Sequence, residues 1–428
     1  MSEGVRSPLY PFTKVRLPHG LRVVVKEVHS IPIVAVYLWA CTGSVNEPPE
    51  INGISHFFEH MFFKGTQKRG VGEMDRAIKA LGGYNNAFTS TEQTAYYVVV
   101  PSEHFATAFD ILYDAMRYSV FDPEEIEKER RVVEEEILRR DDSPTGKLYD
   151  RFLALLFDGT PYAQPVLGTP ETLRTIRRET LRSYLQDFYG PDNVIAVVVG
   201  DVKTNAVLSS IEAMTGDWAS STIQRRPASV TFTPQTEIRT EVIEKEVNQV
   251  YWAMGFPNLG RLQLDDMYIL DVASMILGGG KSSRLVQHLL QREGLVTAVS
   301  SWVWPLSRAG LFGIDSQFPP ENRPKVEQII FEEIDRMRNE RVETTELDKA
   351  KTMLIHDFAY SNETDANVGQ TLGQYEALSK AEEALTYVDR IQAVTAEQVR
   401  LAMERHCPLE AYTLCYVQPT RKEIKDEP

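Results

Sequence analysis

Cysteine is scarce in this chain, which has three, Cys41, Cys407 and Cys415, among 428 residues. No two of them have the spacing of a zinc finger or of a redox motif, which argues against a disulfide framework and against a cysteine-based metal site. We therefore expect three reduced thiols with a structural role.

Long apolar runs and low-complexity segments are also missing. No apolar stretch reaches the roughly 20 residues that a membrane-spanning helix needs, and Met1 to Lys14 lacks the basic-then-apolar layout of a secretory signal. The apolar fraction of 43% and the charged fraction of 25% are typical of a globular protein. We expect a protein of the bacterial cytoplasm that has no membrane as a partner.

An excess of positive charge is missing as well. The formal net charge is −15 at pH 7, which argues against nucleic acid and against an anionic membrane as partners. This charge is compatible with neutral or basic substrates, although most such excesses only serve solubility.

The sequence does contain a pattern that occurs twice. Glu125-Ile-Glu-Lys is echoed by Glu346-Leu-Asp-Lys in the second half of the chain. Glu179-Thr-Leu-Arg and the strand after it are echoed by Glu397-Gln-Val-Arg and its following strand. The two echoes lie at nearly the same distance along the chain from their originals, which predicts the duplication of one fold.

The predicted boundary between the two copies is a segment rich in Ser, Thr, Pro, Gln and Arg at 217–240. It would link a domain at 1–216 to a homologous domain at 241–428, each of about 200 residues. Helices and strands are mixed without strict alternation, which favours the α+β class with two α/β-sandwich-like domains.

The stretch His56-Phe57-Phe58-Glu59-His60 carries the functional argument. Two histidines four residues apart lie on one side of a helix, so both imidazoles can reach a single metal ion. Glu59 lies beside the pair, where its carboxylate can accept a proton from a metal-bound water. H-x-x-E-H is the inverted zinc-peptidase motif. The alternative is a half-buried helix with two hydrogen-bonded histidines.

A zinc site needs a third protein ligand, and the helix that begins at Asp122 and runs to about Arg140 offers one. The residues predicted to share its inner face are Ile126, Glu129, Val132, Val133, Glu136 and Ile137. Carboxylates among Val and Ile are costly unless they bind a cation or accept hydrogen bonds. Periodicity thus selects Glu136, and Glu129 two turns earlier, as the inward-facing acids.

These residues resemble a known family. Together with Met61-x-Phe63-Lys64-Gly65-Thr66, Asn86-Ala87-x-Thr89 and Glu127-Lys-Glu129-Arg130, the motif is similar to that of the pitrilysin/insulinase family of zinc peptidases. The similarity is strongest to its short two-domain branch, which includes the mitochondrial processing peptidase. In the first half of the chain the similarity rests on specific motifs. In the second half it rests only on the order of the predicted elements.

The resemblance implies a set of zinc ligands. His56, His60 and Glu136 would hold one Zn²⁺ per chain. The third ligand of the family is a glutamate at a characteristic distance after the second histidine, and Glu136 follows His60 at that distance. Glu59 would be the catalytic base. Glu129 matches a second acid of the family that supports the site from outside the ligands.

The resemblance also implies substrate-binding residues. Asn86 and Ala87 match an edge strand to which the substrate backbone adds, although Asn86 could instead be a turn residue after Gly83. The family holds substrate carbonyls with an arginine and a tyrosine in the second domain. Here Arg308 precedes Asp315, which stands where the tyrosine is expected.

The function implied is zinc-dependent endopeptidase cleavage of peptides or unfolded segments. Short members of the family form homodimers or heterodimers that enclose a chamber, so the two domains of one chain would form half of a clamshell. A homologous partner chain would then supply missing substrate-binding residues. The alternative is a non-catalytic assembly or chaperone-like subunit that retains the fold.

Overall fold

The computed structural model describes most of the chain, namely residues 9–219, 235–260 and 264–420. The described residues form two compact units, and neither unit is one continuous stretch of sequence. The predicted linker lies largely outside the described residues, so its boundaries stay a prediction.

Each compact unit contains a segment from the other half of the sequence. Residues 358–387 belong to the first unit, although they come late in the chain. Residues 138–163 belong to the second unit, although they come early. The chain therefore passes between the two units several times.

The first unit is built on a sheet of six strands. They are β1 (Thr13–Arg16), β2 (Arg22–Glu27), β3 (Ile33–Ala40), β4 (Tyr84–Thr89), β5 (Thr94–Pro101) and β6 (Val194–Gly200). Their order is β1-β2-β6-β3-β5-β4, in which β2 and β6 are parallel and all other neighbours are antiparallel. The central strands β3 and β6 are almost completely buried, as their continuous apolar sequences predict.

One face of this sheet packs against a layer of helices. They are α1 (Ile54–Phe62), α2 (Glu73–Ala80), α3 (Phe105–Tyr118), α4 (Pro123–Asp142), α6 (Pro170–Thr175), α7 (Arg178–Phe188) and α8 (Thr204–Thr215). Their apolar sides share a single core with that face of the sheet, with Phe57, Phe109 and Leu181 among its fully buried members.

The opposite face of the sheet packs against α12 (Asp365–Leu378), which comes from the late segment of the chain. Two glycines one turn apart let this helix approach the aromatic rings of β3. A Cβ at Gly373 would lie 2.0 Å from the Trp39 indole nitrogen, and one at Gly369 would lie 2.8 Å from the Tyr37 ring. The Tyr37 hydroxyl also donates a hydrogen bond to the Ala366 carbonyl at 2.9 Å.

The second unit repeats this plan with five strands. They are β7 (Arg239–Lys245), β8 (Val250–Leu259), β9 (Ala298–Pro305), β10 (Ala309–Phe318) and β11 (Thr413–Pro419). The order β7-β11-β8-β10-β9 has the same sequence of parallel and antiparallel pairs as β2-β6-β3-β5-β4. The predicted duplication and the α+β class are therefore confirmed.

The second unit also contains helices beside its sheet. They are α5 (Pro144–Leu156), α9 (Leu264–Leu277), α10 (Arg323–Asn339), α11 (Thr344–Tyr360), α13 (Tyr387–Ala393) and α14 (Ala396–His406). The early helix α5 packs against β8 and β11, and Gly255 leaves room there for the Phe152 ring. No helix in the described parts of the chain is long and apolar enough to cross a membrane.

None of the three cysteines, all of which lie in the described ranges, is joined in a disulfide, as predicted. Cys407 and Cys415 are fully buried, and burial raises the pKa of the Cys415 thiol to about 12. A thiol that stays protonated is a poor nucleophile and a poor metal ligand. Burial thus fits the structural role that the sequence predicts for Cys407 and Cys415.

The contact between α12 and the sheet yields a prediction about stability. Replacing Gly373 with Ala places a methyl group against the Trp39 ring, so we expect the free energy of unfolding to fall by about 1–3 kcal/mol. Urea unfolding followed by tryptophan fluorescence measures this. Gly70→Ala is the matched control, since its Cβ would meet atoms no closer than 3.5 Å. Equal stability of the two variants would contradict the packing argument.

Candidate metal centre

Helix α1 begins after a turn at Gly53, whose φ of 95° lies in the left-handed region that favours glycine. The Glu47 carboxylate accepts hydrogen bonds from the backbone N–H groups of Gly53 and Ser55, at 2.6 and 2.8 Å. It also accepts one from the Asn52 amide at 2.7 Å. Burial raises the pKa of Glu47 against the opposing effect of these donors. Glu47 thus caps the N-terminus of α1 from within the core.

The flank of α1 is held by tyrosine hydroxyls and rings. The Tyr184 hydroxyl is hydrogen-bonded to Ser55 Oγ at 2.6 Å and to Thr42 Oγ1 at 2.9 Å. The Phe58 ring stacks on Tyr189 with 4.2 Å between ring centroids. The buried residues of α1 are Ile54, Ser55, His56, Phe57, Phe58, Met61 and Phe62. Seven of the nine residues of α1 are therefore buried.

The two histidines of α1 converge on one carboxylate oxygen. Nε2 of His56 and Nε2 of His60 lie 3.7 and 3.6 Å from Oε2 of Glu136. The potential ligand atoms of the three residues all lie within 4.8 Å of one another. Within the ranges that the structure describes, no other three His, Cys, Asp or Glu residues are grouped in this way. The chain thus brings together the three residues that the sequence selected.

The charge state of His56 suits metal binding. Burial, and then the proximity of His60, lower the pKa of His56 to about 3. Its imidazole is therefore neutral at pH 7, and a neutral ring offers a lone pair to a metal. Its Nδ1 atom is buried without a hydrogen-bond partner among the described residues.

The ring of His60 is oriented by Glu129. Oε2 of Glu129 lies 3.1 Å from His60 Nδ1, and its Oε1 lies 2.5 Å from the Lys64 ammonium. Glu129 is only 7% exposed, so its charge is compensated by these two contacts. A carboxylate on the second ring nitrogen is the arrangement that fixes metal-binding histidines, because it leaves Nε2 free for the ion.

The separations between Glu136 and the two histidines fit zinc. Tetrahedral ligands at the usual zinc distances are about 3.3–3.5 Å apart, close to the separations of 3.7 and 3.6 Å from the two histidines to Glu136. Two imidazole nitrogens and one carboxylate oxygen are also a donor set that zinc accepts, with a fourth position left for water.

Helix α4 supplies Glu129 and Glu136 from positions two turns apart. Its N-terminus is capped by Asp122, which accepts hydrogen bonds from the N–H groups of Glu124 and Glu125 at 2.8 and 3.3 Å. Asp122 is therefore the N-cap residue of the helix, at the position where the sequence predicts the helix to begin. Because the helix begins where the sequence indicates, its periodicity carries both acids toward α1.

The predicted inner face of α4 needs one correction. Val132 is 42% exposed, whereas Arg130, which was not assigned to that face, is buried. The Arg130 guanidinium donates hydrogen bonds to the carbonyls of Leu173 and Ile176. The Glu127 carboxylate, 3.1 Å from the guanidinium, compensates the charge. The inner face is therefore rotated toward Arg130 and away from Val132.

Glu59 points toward the end of the edge strand. Its Oε2 accepts a hydrogen bond from the Thr89 hydroxyl at 2.6 Å. Burial raises the pKa of Glu59, although this hydrogen bond acts in the opposite direction. A carboxylate whose pKa is raised toward neutrality can both accept a proton and return it.

The substrate-binding residues predicted in the first unit lie on β4. Asn86 is part of this strand, so it is not the turn residue that was considered as an alternative. β4 pairs with β5 on one side and is the outermost strand of the sheet. The Asn86 side chain accepts a hydrogen bond from the Ala87 N–H at 2.9 Å, which satisfies one donor of the edge strand.

Arg308 lies in the second unit, at an exposed position just before β10. Asp315, seven residues later, accepts hydrogen bonds from Ser300 Oγ at 2.9 Å and from Trp302 Nε1 at 2.8 Å. Burial and then the Asp315 charge raise the pKa of Tyr149. The family resemblance predicts a tyrosine at this position. The chain instead has Asp315, which accepts hydrogen bonds from its neighbours.

Sequence reasoning assigned no role to several residues that shape the site. Glu47 and Tyr184 anchor α1, and Lys64 pairs with Glu129. Thr89 was noted only as part of a motif, yet it contacts Glu59. Their partners lie in other elements, and no periodic pattern in the sequence signals such contacts.

The cap of α1 yields a second prediction. Glu47→Ala leaves the buried N–H groups of Gly53 and Ser55 without their acceptor, so we expect a loss of roughly 2–4 kcal/mol in the free energy of unfolding. Glu47→Gln keeps one acceptor oxygen and should lose less. Urea midpoints measure both, and Glu50→Ala, an exposed acid of the same loop, should match the unchanged protein. A Glu47→Ala variant as stable as this control would refute the capping role.

Comparisons with known proteins agree with this geometry. Residues 22–170 match the model of the insulinase family, peptidase family M16, and residues 175–354 match the model described as the peptidase M16 inactive domain. The uncharacterized zinc protease YmxG of Bacillus subtilis is 31% identical over 405 residues, which cover 94% of this chain and 97% of that protein.

Two further matches extend over most of the chain. An uncharacterized zinc protease of Rickettsia felis is 32% identical over 387 residues, covering 89% of this chain and 92% of that one. A protease from Helicobacter pylori, known from its crystal structure, has the same fold, with a TM-score of 0.90, 24% identity and coverage of 96% and 99% of the two chains. The predicted resemblance is confirmed, and the chain belongs to peptidase family M16, the insulinase family.

Proposed function

We propose that the chain is a zinc-dependent endopeptidase that hydrolyses peptides or unfolded polypeptide segments. The observation that carries this proposal is the convergence of His56 and His60 Nε2 on one oxygen of Glu136, with the Glu59 carboxylate on the same helix. Two relatives carry the name of uncharacterized zinc protease, which supports zinc as the metal and peptide hydrolysis as the reaction.

Three residues of the chain would bind the metal, and a fourth would transfer the proton. His56, His60 and Glu136 would hold one zinc ion, which when bound supplies a Lewis acid that lowers the pKa of water and polarises a peptide carbonyl. Glu59 takes a proton from the water that attacks the carbonyl carbon. As the C–N bond breaks, Glu59 returns that proton to the amine nitrogen that leaves.

The supporting residues keep this machinery in place. Glu129 holds the His60 ring through Nδ1 and is itself paired with Lys64. Glu47 fixes the start of the helix that carries both histidines and Glu59. Because these contacts join residues of the chain itself, the site is preorganised, and substrate binding needs no rearrangement of α1.

A peptide substrate would add to the edge of β4, where Asn86 and Ala87 offer backbone groups for a further antiparallel or parallel strand. The Asn86 side chain, which accepts from the Ala87 N–H, would then be replaced by a substrate carbonyl. Recognition through the backbone selects extended segments over folded ones, which fits a protease of peptides and unfolded chains.

We propose further that the active form is a dimer enclosing a chamber, and that a homologous partner chain completes the substrate site. Arg308 is exposed and would hold a substrate carbonyl. Asp315 already accepts two hydrogen bonds and, when ionised, has no proton to donate to a carbonyl. A tyrosine of the partner chain would instead donate the hydrogen bond to the substrate carbonyl. Full peptidase activity of a homodimer of this chain would overturn the requirement for a different partner.

The metal site is tested by its zinc content. We expect about one zinc per purified chain, and less than about a tenth of that in His60→Ala, since this variant lacks one of the three protein ligands. Mass spectrometry for metals on the dialysed protein gives the ratio. His356→Ala, which changes an exposed histidine of α11, is the control and should keep its zinc. Zinc retained by His60→Ala would exclude this ligand set.

The mechanism is tested at Glu59. We expect Glu59→Gln to lower kcat for a fluorogenic peptide by about 100-fold or more, because the amide cannot accept the proton. Zinc content should stay unchanged, since Glu59 is not a ligand. Glu135→Gln, which makes the same exchange at an exposed position of α4, should leave kcat unaltered. Cleavage unaffected by Glu59→Gln would favour the assembly or chaperone-like role of the fold over catalysis.

A further inference from the structure

The Thr89 hydroxyl and the Glu59 carboxylate form a contact to which the family resemblance gave no role. Thr89 Oγ1 donates to Glu59 Oε2 at 2.6 Å, the short distance typical of a hydroxyl bound to a charged oxygen. Both side chains are half-buried, so water competes with this bond only in part. The bond joins the last residue of β4 to the helix that carries the two histidines.

The pleat of β4 determines that Thr89 faces α1. Alternate residues of a strand point to opposite faces of the sheet. Ala87 packs against the core that includes α1, whereas Phe88 packs on the other face, edge-on to Trp39 at 5.4 Å. Thr89 is two residues after Ala87 and therefore lies on the α1 side, within reach of Glu59.

The end of β4 is held firmly at this point. Thr89 pairs with Thr94 of β5, and the Thr94 hydroxyl donates to the Thr42 carbonyl at 3.0 Å. The turn that follows is closed by the N–H and the hydroxyl of Ser90, which both donate to the Gln93 carbonyl. The Thr89 hydroxyl is thus presented to Glu59 from a fixed backbone.

Glu59 has little else to orient it. Across the described residues, Thr89 provides its single hydrogen bond, while an ionised carboxylate can accept about four. A glutamate side chain has three rotatable bonds, and losing its one partner would let the carboxylate adopt other rotamers. The position of Oε1, the oxygen left free, therefore depends on Thr89.

We propose that Thr89 is a positioning residue for Glu59 and links the edge strand to the group that moves the proton. This inference rests on the proposed peptidase function and deepens it. A peptide that adds to β4 would lie along the strand that ends at Thr89, so the strand that binds the substrate would also position the carboxylate of Glu59. The hydroxyl acts on the base through its hydrogen bond to Glu59, and Glu59 is not one of the three proposed ligands.

The test compares three variants of the full, zinc-loaded chain in whichever assembly cleaves a fluorogenic peptide. Thr89→Val has nearly the same shape without the hydroxyl, and we expect kcat to fall about 10- to 100-fold with KM within about threefold. Thr89→Ser restores the hydroxyl and should recover most of kcat. Thr13→Val makes the same exchange at an exposed position of β1, the strand at the opposite edge of the sheet, and should leave kcat within about threefold of the unchanged protein.

Two readouts separate positioning from a merely structural role. Zinc content and the urea midpoint of Thr89→Val should equal those of the unchanged protein. A lower midpoint or lost zinc in proportion to lost activity would overturn the proposal, as would a kcat retained by Thr89→Val or not rescued by Thr89→Ser.

A crystal structure of zinc-loaded Thr89→Val decides the question without activity. We expect the Glu59 carboxylate to leave its place by more than about 1 Å, a displacement large enough to matter for catalysis. A carboxylate that stays in place would overturn the role of Thr89. If the unchanged chain cleaves no peptide, alone or with a homologous partner, the proposed function fails, and this structural result still tests the positioning contact by itself.

Discussion

The organisation of the first unit follows from the burial of polar groups in α1. A helix buried on most of its surface carries two imidazoles and a carboxylate, and each such group costs free energy in the core unless something satisfies it. The solution uses different elements for each group. Glu129 and Glu136 of α4 approach the histidines, and Thr89 of β4 reaches Glu59. The candidate metal centre is thus also where the helix, its neighbouring helix and the edge strand meet.

Different contacts hold the two ends of α1. The N-terminus is anchored in the core by Glu47, whose carboxylate accepts hydrogen bonds from the N–H groups of Gly53 and Ser55. At the other end, Lys64 follows the helix and pairs with Glu129. This division leaves His56, Glu59 and His60 on a segment that is fixed at both ends, and such rigidity is what placement of a metal ion and a base requires.

Much of the site could be predicted because its pattern is local. His56 and His60 are one turn apart, and the same period on a capped helix selected Glu136 correctly as the acid that reaches them. The central strand Ile33–Ala40 is also a local pattern, since its continuous apolar run is typical of a strand buried on both faces. The partners of Glu47, Arg130 and Thr89 could not be predicted. Each contacts a segment distant in sequence or across a loop, and periodicity carries no information on such contacts.

The helix α12 has a consequence for how the protein is made. The sheet that supports the candidate metal centre has one face covered by a helix that ends at Leu378, far beyond the last strand of that sheet at Val194–Gly200. During synthesis, the apolar face that includes Tyr37, Trp39 and Val197 must stay uncovered until most of the chain has emerged. A chain interrupted before that point carries both histidines, Glu59 and Glu136, yet lacks a finished platform for them. The late helix thus couples completion of this candidate site to completion of the polypeptide.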